Sequence, residues 1–169
     1  MANTQAMVTG FMGKLMTGTH NFGVGVVRAG TGADTYYGAL LLASGTFNAS
    51  SSDYTGTIGA TAMAGEVSGT GYTPGGVAIT NANPPTATNS SATAGVAFWT
   101  PSASITYTTV TLATAFDAVM IYNSTQGTGG AYPAVSIHTF GSQTITAGTF
   151  TLTMPSNTTS TALIRLATT

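Results

Sequence analysis

Apolar and polar positions along the chain follow two different periods. Between residues 4 and 17, Met7, Phe11 and Leu15 recur every fourth position, flanked by Val8, Met12 and Met16. That spacing lays one apolar stripe along a helix. Gly10 and Gly13 weaken the helix by roughly 1 kcal/mol each relative to Ala. A helix this short and poor in propensity needs a surface to lie against. The surface is either its own domain or a neighbouring subunit, so Met7, Phe11 and Leu15 are candidate interface residues. Gly18 and then His20-Asn21 end the element.

From residue 23 the period changes to two. Phe150, Leu152 and Met154 alternate with Thr149, Thr151 and Thr153, and Ile105 and Tyr107 alternate with Ser104, Thr106 and Thr108. In Ala134–Phe140 both alternating sets are partly apolar. Runs of β-branched and aromatic residues bounded by Gly, Pro, Asn and Ser predict strands. They cover Gly23–Arg28, Tyr36–Ala43, Gly65–Val67, Gly76–Thr80, Gly95–Trp99, Ser104–Thr108, Val110–Ala113, Phe116–Tyr122, Ala134–Phe140, Gln143–Ile145, Thr149–Met154 and Ala162–Leu166. Asn81–Thr93, with its Pro pair, and the Gly-rich Ser124–Pro133 read as long loops. No strand–helix–strand rhythm supports a parallel sheet. The pattern predicts an all-β antiparallel sandwich, jelly-roll-like or Ig-like. Residues 1–22 form an N-terminal helical arm and 23–169 a single β domain.

Composition then narrows the function. The 169 residues carry three Lys/Arg and four Asp/Glu, 4% charged, against about 25% in an ordinary domain. A net charge of −1 offers no basic face to a nucleic acid and no polybasic segment to an anionic membrane. Thr is the commonest residue, so the surface is neutral and polar. Low surface charge favours association, which points to a structural or interaction protein. The absence of Cys excludes thiol chemistry and disulfides. No stretch reaches the roughly 18 apolar residues of a membrane helix, and no Lys or Arg precedes residue 14 to make a secretory n-region.

Catalytic material is sparse. The acids are Asp34, Asp53, Glu66 and Asp117, and the histidines are His20 and His138. No spacing singles out a carboxylate pair, and there is no G-x-S-x-G elbow, His-x-x-x-His or P-loop. The GTGAD turn at Gly30–Asp34 is a weak phosphate-cradle signal. The chain is therefore read as a non-enzyme with no cofactor and no metal.

The most specific stretch is GEVSGTGYTPGGVAI. Gly65, Gly69, Gly71, Gly75 and Gly76 permit tight reversals, and Pro74-Gly75 signals a type II turn. Tyr72 sits between the turns to pin the crossing. Glu66, a lone carboxylate beside a glycine hairpin, is placed to accept backbone N–H bonds.

This stretch is followed by a Phe-Trp strand, FDAVMIYN at Phe116–Asn123, a Phe140-Gly141 turn, a strand ending at Pro155 and a closing ALIRLA. The order resembles a group of small tailed-bacteriophage proteins with the pattern E-x-[ST]-G-x-G-Y-x-x-G-G. Their short N-terminal helix ends in Gly-x-His-Asn, matched here by Gly18-Thr19-His20-Asn21. The resemblance covers nearly the whole chain. It implies a virion structural protein, assembled in the bacterial host cytoplasm. The leading placement is a capsid decoration or cement protein bound to the major capsid protein and to copies of itself. The alternative is a tail or tail-tip component touching the host receptor.

Overall fold

The structure, a computed structural model, describes residues 2–23, 33–81, 83–90, 93–127 and 129–167. The expected strand Gly23–Arg28, apart from Gly23, and most of the Gly30–Asp34 turn lie outside them. In chain order the elements are β1 (Ala6–Met7), α1 (Thr9–Met16), β2 (Tyr36–Leu42), β3 (Asp53–Tyr54), β4 (Val77–Ala78), β5 (Thr86–Ser90), β6 (Thr93–Trp99), β7 (Ile105–Asn123), β8 (Tyr132–Leu152) and β9 (Ile164–Ala167). All pairings are antiparallel. The larger sheet has the order β1-β8-β7-β2-β4, with β3 also on β8, and the smaller one is β5-β6-β9. The result is an all-β sandwich with a short N-terminal helix.

The spine is the β7–β8 ribbon, in which Tyr122 pairs with Ala134 and Ile105 with Leu152. Its two halves differ. Near the Ser124–Ala131 turn, Ala118–Asn123 and Pro133–Ile137 are buried at every position. Both sheet faces are covered there, which is why the sequence shows apolar residues in both alternating sets. In the far half, Ile105 and Tyr107 are buried while Thr106 and Thr108 are exposed, and Thr149, Thr151 and Thr153 are exposed beside half-buried Phe150, Leu152 and Met154. Here the period-two reading holds.

The sequence split this ribbon into six pieces, including a Phe140-Gly141 turn, whereas both strands run through. Bulges replace the expected breaks. The register slips near Tyr107/Val110, Leu112/Phe116 and Phe116/Ala118, and Thr109 (φ 54°) and Ala147 (φ 45°) occupy the left-handed region. A bulge absorbs extra residues without ending the strand.

Two further expectations are corrected. The helix spans Thr9–Met16 rather than residues 4–17. Ala6 and Met7 instead pair with Ile137 and Ser136 of β8, and Val8 N donates to Val135 O at 3.0 Å. Ladder bonds to a long strand outcompete the first turn of a helix that Gly10 and Gly13 already weaken. The Asn81–Thr93 loop contains β5, paired with β6. Thr86, Ala87 and Thr88 are exposed, so no apolar periodicity marked the strand.

Val8, Phe11 and Phe22 belong to the same buried cluster as Leu40, Leu41, Val119, Met120, Ile121 and Ile137. Burying a side chain such as Phe11 contributes about 2–3 kcal/mol. The small sheet joins this core through Trp99, which packs 4.6 Å from Phe22, itself stacked 4.4 Å from Tyr36. Trp99 Nε1 donates to Asn81 Oδ1 at 2.9 Å, which fixes the ring.

Candidate functional site: a closed edge, an open edge and the carboxylates between them

The Gly65–Gly76 segment lies along one edge of the main sheet. Val67 N donates to Leu40 O at 3.0 Å and Leu42 N to Gly65 O at 2.8 Å. Thr111 N of β7 donates to Thr70 O at 2.9 Å. Pro74 and Gly75 form the predicted turn: Gly76 N reaches Thr73 O at 2.9 Å and Gly75 has φ 91°. That pattern, with positive φ at the third position, is a type II turn. Gly76 (φ 77°) passes so close to β2 that a Cβ would fall on Gly38 O.

Glu66 closes this segment from inside and is 5% exposed. Its Oε1 accepts Tyr72 Oη and Gly75 N, each at 2.7 Å, and its Oε2 accepts Tyr54 Oη at 2.7 Å and Met63 N at 2.9 Å. Four donors satisfy one carboxylate. Tyr72 Oη in turn accepts Leu40 N at 3.0 Å, so it pins the crossing as expected. Burial, followed by the Glu66 charge, pushes the Tyr54, Tyr72 and Tyr107 hydroxyls well above the ordinary phenol range. They remain protonated donors. The sequence revealed the backbone donors to Glu66 but not Tyr54, which arrives from the two-residue β3.

The other acids are also held. Asp34 Oδ2 accepts Asn21 N and Asn123 Nδ2, both at 2.7 Å, and Gln126 Nε2 reaches Oδ1 at 3.1 Å. Asp53 accepts Lys14 Nζ at 3.0 Å and Ser52 Oγ at 2.7 Å. Asp117 Oδ1 accepts Asn3 Nδ2 at 2.6 Å. His20 packs among Phe11, Phe22 and Tyr36. His138 Nε2 lies 2.8 Å from Ser136 Oγ, and burial holds its imidazole down to about 4. The Ser136–His138 pair borders a cavity of about 330 Å³ between β1 and β9, with Arg165 also on its wall. Among the described residues no carboxylate bonds to His138, and no group of three His, Cys, Asp or Glu assembles.

Of the expected stripe, Met7 leaves the helix for β1, whereas Phe11 and Leu15, four residues apart on α1, face the same way and both line an apolar pocket of about 100 Å³ with Phe22, Phe98, Trp99 and Ile164. The helix's outward apolar residues are Met12 and Met16, 50% and 86% exposed.

The opposite edge of the sheet is different. The outer edge of β8 is covered by β3 at Tyr132 and Pro133, and by β1 at Ser136 and Ile137. From Thr139 to Leu152, β8 pairs only with β7 among the described residues. No residue in that stretch is charged or proline. Against known protein families, curated proteins and solved structures the chain finds no match.

Proposed function

We propose that this chain is a non-enzymatic structural protein of a tailed-bacteriophage virion, a decoration or cement protein seated on the major capsid protein of the head. The observation that carries the non-enzymatic part is the fate of the acids. Asp34, Asp53, Glu66 and Asp117 are all bound by side-chain or backbone donors of the fold itself. None of the three cavities described carries a carboxylate on its wall. Among the described residues, the surface left for contacts is mostly Thr, Ser, Gly and Ala, with unpaired strand edge and exposed Met. The phage placement rests on the Glu66–Gly76 pattern and its neighbours along the sequence.

A surface of this kind associates through backbone hydrogen bonds and apolar burial, neither of which salt screens as it screens exposed charges. Many weak contacts on a lattice then add through avidity. The deciding experiment is copy number per purified virion by quantitative mass spectrometry. Hundreds of copies fit the cement role, whereas a few to tens fit a tail or tail-tip component. Absence from virions overturns both. Occupancy is expected to survive about 1 M NaCl, where the Debye length is about 3 Å.

A further inference from the structure

We propose that the open edge of β8 is a self-association surface, on which Gly148–Leu152 pairs antiparallel with the same residues of a second copy about a two-fold axis.

An exposed strand edge presents a row of unsatisfied N–H and C=O groups, and folded proteins blunt such edges with charges, prolines, bulges or a covering segment. The other edge of this sheet is covered by the Gly65–Gly76 segment, down to Thr70 against Thr111. On β8, among the described residues, the covering stops at Ile137. Beyond it only bulges intervene, at the register slips opposite Ala118–Phe116 and beside Ala147. They leave Gly148–Leu152 as the regular stretch, where Phe150, Thr151 and Leu152 hold an unbroken register with Tyr107, Thr106 and Ile105.

The chemistry of that stretch suits a second copy as the occupant. A two-fold contact is isologous, so each residue meets its own neighbours from the other chain. A charge on such an edge meets its twin at close range, and this edge has none. With the axis at Phe150, Thr149 faces Thr151 of the other copy and Gly148 faces Leu152. Thr opposite Thr is a favourable cross-strand pair. Phe140, Ile145, Phe150 and Leu152 are each half-buried against the core on one face. Phe150 packs 5.1 Å from Phe116 and 5.3 Å from Phe140. A strand added at the edge continues that row and covers its open side.

A five-residue pairing is small by the standards of stable dimers. The contact is weak in solution and gains from a lattice, which deepens the structural role proposed above. The pairing is nonetheless read on the isolated chain.

The test is sedimentation velocity from about 1 μM to about 200 μM on the wild type and two double variants, Thr149→Lys/Thr151→Lys and Thr149→Glu/Thr151→Glu. Both positions are exposed, and circular dichroism confirms that each variant is folded. The wild type is expected to dimerise within this range. Each variant alone should weaken dimerisation at least tenfold, and an equimolar mixture of the two should restore it. A wild type that stays monomeric overturns the proposal, as does a lysine variant that dimerises like the wild type or a mixture that stays apart. A monomeric wild type whose lysine variant is lost from particles assigns the edge to a different partner and also overturns it. Copy number per virion is a separate measurement, so the particle reading stands or falls independently.

Discussion

The two long edges of the main sheet meet the same problem with opposite solutions. Along β2 and the far half of β7, the Gly65–Gly76 segment supplies partners for the ladder and locks itself down with a buried carboxylate. Along β8, the covering strands β1 and β3 reach only Ile137, and the rest is a neutral edge broken by bulges. The closed edge stores stability in a few irreplaceable atoms. The open edge stores little and leaves its backbone accessible. Substitutions should therefore separate the two regions sharply.

The largest contrast comes from one substitution made on each side. Gly76→Ala sets a Cβ on Gly38 O at φ 77°, and is expected to cost more than about 3 kcal/mol. At about 2–4 °C per kcal/mol for a chain of this size, the melting temperature falls by at least about 6–12 °C. Gly141→Ala, whose Cβ meets only Gln143 Nε2 at 3.9 Å, should change stability by less than about 0.5 kcal/mol. Equal melting temperatures would remove the distinction between the edges.

Glu66→Ala comes next. It leaves the Tyr54 and Tyr72 hydroxyls and the Met63 and Gly75 amides without their acceptor, at about 3–5 kcal/mol. Glu66→Gln should fall between this and the wild type, because one amide oxygen still accepts. Urea midpoints rank the three proteins, and a neutral Glu66→Ala would show that the segment holds without its carboxylate.

His138 stands where the covering of β8 ends, and it ties pH to that boundary. Burial lowers its folded pKa to about 4, below the ordinary 6.5. The unfolded chain therefore binds the proton first. Stability is complete above about pH 6.5 and declines as pH falls from there toward 4, by up to about 1.4 kcal/mol per unit. Because the ring is partly exposed, a net difference of about 1–2 kcal/mol between pH 7 and pH 4.5 is expected. Other groups titrate in this range, so the informative measurement is wild type against His138→Gln, which should show the shallower decline.

The smallest effect belongs to Thr149→Lys/Thr151→Lys. On the exposed open edge it should move stability by less than about 0.5 kcal/mol while removing self-association. A large loss of stability would mean that the edge is already covered within one chain.

How much of this was legible varies with sequence distance. The Pro74-Gly75 turn and the backbone donors to Glu66 are local, and residue identity alone revealed them. The alternation at Phe150, Leu152 and Met154 was visible because that half of the ribbon has one wet face. The same strands were read in pieces because a bulge and a turn both use Gly, Ala and Thr. β1 was hidden because Ala6 and Met7 fit a helical stripe until β8, far along the chain, competes for them. Tyr54 as a donor to Glu66 was equally hidden, since two residues of strand carry no period. Of the candidate arm residues, Phe11 and Leu15 turn the same helical face to the core, as their stripe predicted, whereas Met7 serves a ladder.

The pairing of β1 with β8 also sets an order of events during folding. The β7–β8 ribbon closes across a short turn and can zip from its tip on the microsecond scale of hairpins. Ala6 and Met7 have no partner until Ile137 and Ser136 exist and are in place. On a ribosome β1 is made long before β8 and is thus among the last strands to dock. Until then Val8 and Phe11 stay in water, and β8 has bare edges at both ends. A topology with so many distant pairings folds slowly, in milliseconds to seconds. In that interval a second chain can capture the vacant β1 position, so refolding yield should fall with protein concentration even though the finished fold keeps that site closed.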